Sequence, residues 1–262
     1  HRDLHSFPTR RSSDLRRNPL LKFRWELKNA NPEDVERLSE ALNLGKIFSS
    51  ILVSRGLSSP EKALDFLNPK LKNMHDPHLL YNMQEAVYRI SRAVRDQEKI
   101  CLYGDYDVDG ITSISLLYQC LNLLHANVEY YIPDRVKEGY GMNTEAVEKI
   151  ARKNCKLIVT VDCGISGHDA IAHANSLGME VIVTDHHELG ETLPDAIAIL
   201  NPKDERGKYP FQGIAGVGVA FKVAWALCQE FSPEIGKMLP ELRSFLLDGM
   251  ALVALGDRKS VV

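Results

Sequence analysis

Three short clusters of acidic residues and histidines each follow an apolar, strand-like run in this 262-residue chain. The clusters are 105–110 (DYDVDG), 162–164 (DCG) and 185–187 (Asp-His-His), and the runs before them are 100–103 (ICLY), 157–161 (LIVTV) and 181–184 (VIVT). Side chains at the carboxyl ends of buried parallel strands converge on one crevice. Because carboxylates that meet there repel each other unless a cation lies between them, the pattern predicts a divalent-metal site.

From residue 99 onward, apolar runs alternate with amphipathic helical patterns. The predicted strands are 99–104, 128–132, 156–161, 180–184 and 196–200, and the helices between them lie at about 111–124, 143–153 and 167–177. Val/Ile-rich runs of this length suit strands that are buried on both faces. The alternation predicts an α/β fold with a largely parallel five-stranded sheet flanked by helices. A glycine-rich loop, Gly213 to Gly218, then opens a helix that runs to about Glu230, and a last helix spans about 241–255.

The region before the sheet reads as helical and connective. Asn31-Pro32 and Ser59-Pro60 are each typical of a helix start, with a capping side chain followed by proline in the first turn. We therefore expect a helical N-terminal region at 16–75 and an α/β domain at 76–256. The Arg- and Ser-rich segment 1–15 and the segment 257–262, which breaks off the last helical pattern, are expected to be non-native ends.

Composition limits the class of protein without fixing its function. The net charge of −3 argues against a chain that binds nucleic acid through its overall charge, although a local Lys/Arg groove could still hold phosphates. No apolar run of about 18 residues predicts a transmembrane helix, and no secretory signal is recognisable. The five cysteines lack CxxC spacing, which fits a reducing cytoplasm and argues against structural zinc.

The clusters also suggest different roles for their polar side chains. In an extended segment Asp107 and Asp109 would share a face and could bind adjacent metals, and Gly110 would let the chain turn into the next helix. A solvated acidic turn that caps a helix is the alternative. Neutral imidazole is a common metal ligand, and Asp185 could orient a histidine ring. Mixed oxygen and nitrogen ligands favour Mn²⁺ or Mg²⁺, and two such cations can activate water for attack on a phosphate.

Several residues outside the clusters are candidates for binding a nucleic-acid substrate. Arg135 and Lys222 could contact phosphates, and the loop containing Gly216 and Gly218 could present backbone amides to an anion. Tyr140 could stack on a base. Solvated charges, a simple glycine turn and core packing are the respective alternatives.

Taken together, the three clusters resemble motifs I to III of the DHH phosphoesterase superfamily, and within it the RecJ family of single-strand-specific exonucleases. Segments 65–69, 132–135, 138–141 and 216–222 are also similar to RecJ, so the resemblance covers roughly residues 20 to 256. It implies a Mn²⁺- or Mg²⁺-dependent, two-cation exonuclease that degrades single-stranded DNA from 5′ to 3′ in repair and recombination. It also implies the single strand as partner, together with a single-strand-binding protein or a helicase.

The resemblance assigns roles to residues by motif. It implies direct metal ligation by Asp107, Asp109, Asp162 and His186. Asp105, Asp185 and His187 are implied as ligands or supporting groups, and His187 could also contact the scissile phosphate. RecJ-like proteins continue beyond the Ala-Leu-Gly at 254–256 into a fourth-motif aspartate and further domains, so we expect this chain to be an N-terminal fragment with reduced activity. Other DHH phosphoesterases, acting on short oligonucleotides, cyclic dinucleotides or pyrophosphate, and a non-catalytic DHH scaffold are the alternatives.

Overall fold

The computed structural model describes residues 29–69, 73–139, 141–232 and 238–260, with side chains described as far as residue 257. The expected N-terminal tail at 1–15 lies outside these described residues. The chain divides into two compact units, His1–Met74 and His75–Val262. The assignment of residues 16–75 and 76–256 to two functionally distinct domains stays a prediction. Each unit is described separately below.

The first unit is helical in its described part. It contains α1 (Pro32–Leu42), α2 (Lys46–Ser54) and α3 (Pro60–Leu67). The side chain of Asn31 accepts a hydrogen bond from the amide of Glu33 at 3.0 Å, and the hydroxyl of Ser59 accepts one from the amide of Lys62 at 3.3 Å. These two contacts satisfy backbone donors that the first turn of a helix leaves unpaired. Both helix starts therefore lie where the sequence places them.

The second unit is a five-stranded sheet with helices on its faces. Its elements are a 3₁₀ turn (Pro77–Leu79), α4 (Met83–Arg95), β1 (Ile100–Gly104), α5 (Val108–Leu123), β2 (Val128–Tyr131), α6 (Thr144–Arg152), β3 (Leu157–Val161), α7 (His168–Ser176), β4 (Glu180–Thr184), β5 (Ala198–Leu200), α8 (Gly216–Glu230) and α9 (Pro240–Ser260). All neighbouring strands are parallel, and their order is β2-β1-β3-β4-β5. The predicted fold class is confirmed.

The strand order creates a crevice between β1 and β3. The chain leaves β1 toward β2 on one side and later returns to place β3 on the other side, so the connections after β1 and β3 diverge. A doubly wound sheet binds ligands outside the carboxyl ends of its strands at such a reversal. The acidic clusters that follow β1 and β3 lie at this edge.

Burial on both sides of the sheet explains its near-continuous apolar strands. All residues of β1, β3 and β5 are buried. One face carries a core formed with α6 and α7, in which Cys101, Ile158 and Ile171 are buried. Helices α5, α8 and α9 pack against one another in the same unit. All five cysteines are buried and none forms a disulfide.

Two helices differ from the sequence prediction. Helix α5 begins at Val108, three residues earlier than predicted, so Asp107 and Asp109 do not lie on one extended segment. Asp107 caps the helix, and this cap is what starts α5 early. Helix α9 continues through Asp257 to Ser260, about five residues beyond its predicted end near 255. Asp, Arg and Lys are compatible with a helix, and neither glycine nor proline follows at 257–260 to end it.

None of the helices in the described ranges is both long enough and apolar enough to span a membrane.

A buried arginine ties α4 to the amino end of the sheet. The side chain of Arg89 is 4% exposed, and its guanidinium contacts the carboxylates of Glu98 at 2.6 Å and Glu180 at 2.5 Å. Arg152 and Glu148, by contrast, form an exposed pair on α6 at 3.1 Å. Buried charge pairs are costly to break because the remaining charge loses its partner, whereas exposed pairs contribute little.

We predict that Arg89→Met destabilises the chain by about 2 to 3 kcal/mol, because Glu98 and Glu180 lose a charged hydrogen-bond donor. The matched variant Arg152→Met should change the free energy of unfolding by less than about 0.5 kcal/mol. Urea unfolding of both variants measures the difference. Equal effects of the two substitutions would contradict the role assigned to Arg89.

Candidate metal centre

The carboxyl ends of three neighbouring strands bring the acidic clusters together. Asp105 follows β1, Asp162 follows β3 and Asp185 follows β4, and these side chains are buried at 3%, 2% and 1% exposure. Donor atoms of Asp105, Asp107 and Asp162 lie within 4.8 Å of one another, and so do those of Asp162, His186 and His187. The structure thus forms two adjacent groups of potential metal ligands, and Asp162 belongs to both.

Asp162 has the least compensated carboxylate of the site. Its Oδ1 atom is buried and accepts no hydrogen bond of good geometry, although Nε2 of His186 lies 3.1 Å away. Burial raises the pKa of Asp162 to about 6; the nearby charge of Asp109 adds to this and His186 opposes it. Its backbone has φ 58°, a left-handed conformation that is strained for most residues. A buried oxygen in this setting fits a divalent cation, because the cation would supply the missing positive charge.

Asp109 is held by the amino terminus of α8. It lies in the first turn of α5, is 1% exposed, and accepts hydrogen bonds from the amide of Gly216 at 2.9 Å and from that of Val217 at 2.6 Å. Its Oδ2 atom also lies 3.6 Å from Nε2 of His186. The glycine-rich loop therefore presents amides to an anion, as the sequence suggests, but the anion is a carboxylate of the same chain. This placement argues against Gly216 as a substrate contact.

Asp105 and Asp107 are fixed by the turn between β1 and α5. Asp105 accepts a hydrogen bond from the amide of Tyr106 at 2.7 Å, and Asp107 accepts from the amides of Asp109 and Gly110 at 2.9 and 3.1 Å. Gly110 lies inside the helix, and a Cβ atom there would collide with the backbone carbonyl of Asp105. Glycine is thus required by this close approach, not by the tight turn that the sequence suggests.

Asp185 supports the two histidines. Its Oδ1 atom accepts hydrogen bonds from the amides of His186 at 2.7 Å and His187 at 3.1 Å and lies 2.7 Å from Nδ1 of His187, while Oδ2 accepts from the amide of Ile165 at 3.0 Å. Burial alone would raise the pKa of Asp185, but its hydrogen bonds with His187 and Ile165 outweigh this and lower it. The hydrogen bond with Asp185 in turn raises the pKa of His187. Of the two roles left open for Asp185, the geometry favours the supporting one.

Three further polar residues, not singled out in the sequence, hold the strand ends and loops of the site. The hydroxyl of Thr160 donates to the carbonyl of Cys163 and that of Thr184 donates to the carbonyl of Thr160, both at 2.7 Å. The amide group of Asn201 donates to the carbonyl of His187 at 2.9 Å. Threonine at the end of a strand is equally typical of an ordinary β-strand, so no local pattern marks these contacts in advance.

The residues predicted to bind substrate occupy different environments. Arg135 is exposed, and its guanidinium lies 5.2 Å from the centre of the Tyr106 ring, next to Asp105. Tyr140 lies outside the described residues. Gly218 is buried in the first turn of α8, where its amide donates to the carbonyl of Ala215 at 2.9 Å. Its burial argues against contact with substrate.

Lys222 is directed into the second unit and not toward solvent. Its side chain is buried, its Nζ atom donates to the carbonyl of His75 at 2.5 Å, and it lies 4.6 Å from the centre of the Trp225 ring. Burial lowers the pKa of Lys222 to about 8. An ammonium group placed in this way packs the segment at His75 against α8, and this argues against a phosphate contact.

Comparison with known proteins finds a family match in the part of the chain that carries the candidate metal ligands. The family model "DHH family, N-terminal domain" matches residues 99–252. Over 214 residues the chain is 46% identical to the single-stranded-DNA-specific exonuclease RecJ of Bacillus subtilis, covering 82% of this chain and 27% of that protein. It is 39% identical over 225 residues to RecJ of Escherichia coli, covering 84% and 38%. This chain thus spans less than two fifths of the length of either relative.

Solved structures of RecJ proteins also superpose on this chain. RecJ of Thermus thermophilus in complex with Mn²⁺ superposes with a TM-score of 0.67 at 28% identity, covering 88% of this chain and 31% of that one. An exonuclease RecJ bound to manganese superposes with a TM-score of 0.57 at 33% identity, covering 68% and 47%. The resemblance to RecJ predicted from the motifs is confirmed.

We predict a pH-dependent contribution of Lys222 to stability. Because its pKa in the folded chain lies below the ordinary value of 10.5, the unfolded chain binds more protons between about pH 8 and 10.5. The penalty of burying the ammonium group is therefore complete below pH 8 and is relieved as pH rises to 10.5. Relative to Lys222→Met, the parent chain should become more stable by about 2 to 3 kcal/mol as the pH rises across this range. A difference independent of pH in urea unfolding experiments would contradict this assignment.

Proposed function

Because this chain belongs to the DHH family, we propose that it forms the metal-binding part of a single-strand-specific exonuclease of the RecJ type. The observation that carries the proposal is the pair of ligand groups that share the buried Asp162. Two of the RecJ structures that superpose on this chain are in complex with Mn²⁺, and a third is in complex with Mg²⁺. A phosphodiester hydrolase with two divalent cations, Mn²⁺ or Mg²⁺, is the function that this arrangement supports best.

The proposed ligands divide between the two groups. Asp107, with Asp105 beside it, would hold one cation, and His186, with His187 beside it, would hold the other. Asp162 would contribute to both, and Asp109 would face the second group through its oxygen near His186. When bound, such cations activate water as a nucleophile and neutralise charge on the phosphate.

The surrounding residues of the chain orient these donors. Asp185 holds His187 through Nδ1, which makes Nε2 the ring atom that meets a cation or, in the protonated ring, donates to a phosphate oxygen. The amides of Gly216 and Val217 fix both oxygens of Asp109. Donors that are held before the substrate arrives need little reorganisation during the reaction.

Single-stranded DNA is the proposed substrate. Arg135, stacked on Tyr106 beside the acidic turn, offers a cation and an aromatic face of the kind that tracks a single strand. The proposal includes attack at the 5′ end with progress from 5′ to 3′. It also includes a role in repair and recombination and a cytoplasmic location. A helicase that produces the single strand and a protein that coats it are the proposed protein partners.

We predict that the exonuclease of which this chain forms the metal-binding part releases nucleotides from 5′-labelled single-stranded DNA in the presence of Mn²⁺. Asp107→Asn should lower the rate by more than about 100-fold, because the substitution removes the charge of a ligand but keeps its shape and its capping oxygen. Asp96→Asn is the matched control, since Asp96 is an exposed carboxylate at the end of α4, outside both ligand groups. Gel analysis of the labelled products measures the rates.

Three results would contradict the proposal. They are equal rates on single-stranded and duplex DNA, activity that survives EDTA, and an unchanged rate for Asp107→Asn. Turnover of cyclic dinucleotides without any attack on long single strands would instead favour another DHH phosphoesterase.

A further inference from the structure

Gly216 occupies the space between two carboxylates of the metal centre. Its amide donates to Oδ2 of Asp109 at 2.9 Å. A Cβ atom built on Gly216 would lie 2.5 Å from Oδ1 of Asp162 and 2.9 Å from the Cβ and Cγ atoms of that residue. The backbone of one residue therefore touches one carboxylate by hydrogen bond and the other by van der Waals contact.

We propose that Gly216 is a positioning residue that sets the spacing between Asp109 and Asp162. The inference rests on the proposed metal-dependent function and concerns the same site. Gly216 has no side chain with which to act on substrate or cation. It acts through the two carboxylates, by donating to one and by leaving room for the other.

The packing around Gly216 leaves no easy way to admit a side chain. Asp162 is buried and is fixed in a left-handed backbone conformation directly after β3. Moving α8 away instead would lengthen both amide contacts to Asp109, because Gly216 and its neighbour Val217 donate from the same helical turn. Close-packed interiors transmit such displacements and do not absorb them. Either movement changes the distance between Asp109 and Asp162.

Other glycines of the same helices differ in what surrounds them. A Cβ atom on Gly218 would collide with the flexible side chain of Ile214, which is no part of the ligand groups. Beyond the backbone of its own helix, the nearest atom to a Cβ on Gly249 would be Cδ1 of Leu116 at 3.5 Å, which is an ordinary contact. Gly256, near the end of α9, would bring a Cβ atom to 3.2 Å from Oδ1 of Asp109, so α9 also approaches this carboxylate closely.

Mn²⁺ binding to the chain tests the proposal directly. The free Mn²⁺ signal in electron paramagnetic resonance gives the dissociation constant without any substrate. We expect Gly216→Ala to weaken Mn²⁺ binding by about 10- to 100-fold, the range typical of residues that orient metal ligands. Gly249→Ala, a glycine-to-alanine change in a helix with room for the methyl group, should bind Mn²⁺ as the parent chain does.

Two results separate this inference from the function on which it rests. A folded Gly216→Ala chain that binds Mn²⁺ as tightly as the parent chain would overturn the positioning role and leave the metal centre intact. A parent chain that binds no Mn²⁺ would overturn the metal centre, and the positioning role with it.

A rescue experiment covers the case in which Gly216→Ala folds poorly. Asp162→Gly removes the atoms that the new methyl group would meet, and glycine accepts the left-handed backbone at 162. In metal-free buffer, Gly216→Ala should lower the unfolding midpoint of the parent chain, and most of this loss should disappear in the Asp162→Gly background. An equal loss in both backgrounds would show that contact with Asp162 is not what requires glycine, and would overturn the proposal.

Discussion

Repulsion among buried carboxylates is the constraint on which the rest of this structure depends. Asp105, Asp109, Asp162 and Asp185 are all at most 3% exposed and lie at one edge of one sheet. The chain compensates three of them with backbone amides, and Asp185 additionally with the ring of His187. Asp162 keeps a buried oxygen without a good hydrogen bond and a pKa raised to about 6. A cation is therefore needed most at Asp162, the residue that both ligand groups share.

The fold supplies this compensation through the placement of two helix amino termini. Helix α5 begins at the cap formed by Asp107, and α8 begins with the amides that bind Asp109. The amino terminus of a helix carries partial positive charge and unpaired N–H groups, so both helices favour negative charge at this edge. The reversal of strand order between β1 and β3 leaves the crevice in which the acids and the helix ends meet. Topology and electrostatics thus favour the same location for the metal centre.

The sequence was sufficient for the sheet and for the identity of the acidic clusters, because both depend on local patterns. Runs such as Leu157–Val161 are short, apolar and rich in β-branched residues, and the polar residues after them lie at strand ends in any parallel arrangement. The start of α5 differs from the prediction because an aspartate before an apolar residue can be a metal ligand and a helix cap at once, and Asp107 is placed to serve both roles. Only the folded structure shows that its oxygen accepts hydrogen bonds from amides of the first turn.

The contacts of the glycine-rich loop could not be read from the sequence for a different reason. Its partner Asp109 lies more than 100 positions earlier in the chain, and no local pattern connects the two. Lys222 illustrates the same limit, since a lysine near such a loop reads as a phosphate contact until its burial against His75 is known. Long-range pairings of this kind decide which polar residues face the substrate and which stabilise the site.

The most direct test of the shared metal centre is an anomalous diffraction experiment on crystals of this chain grown with Mn²⁺. Two neighbouring manganese peaks are expected at the carboxyl edge of the sheet, one beside Asp107 and one beside His186, with Asp162 in contact with both. Peaks located elsewhere, or no peak within coordination distance of Asp162, would contradict the central claim.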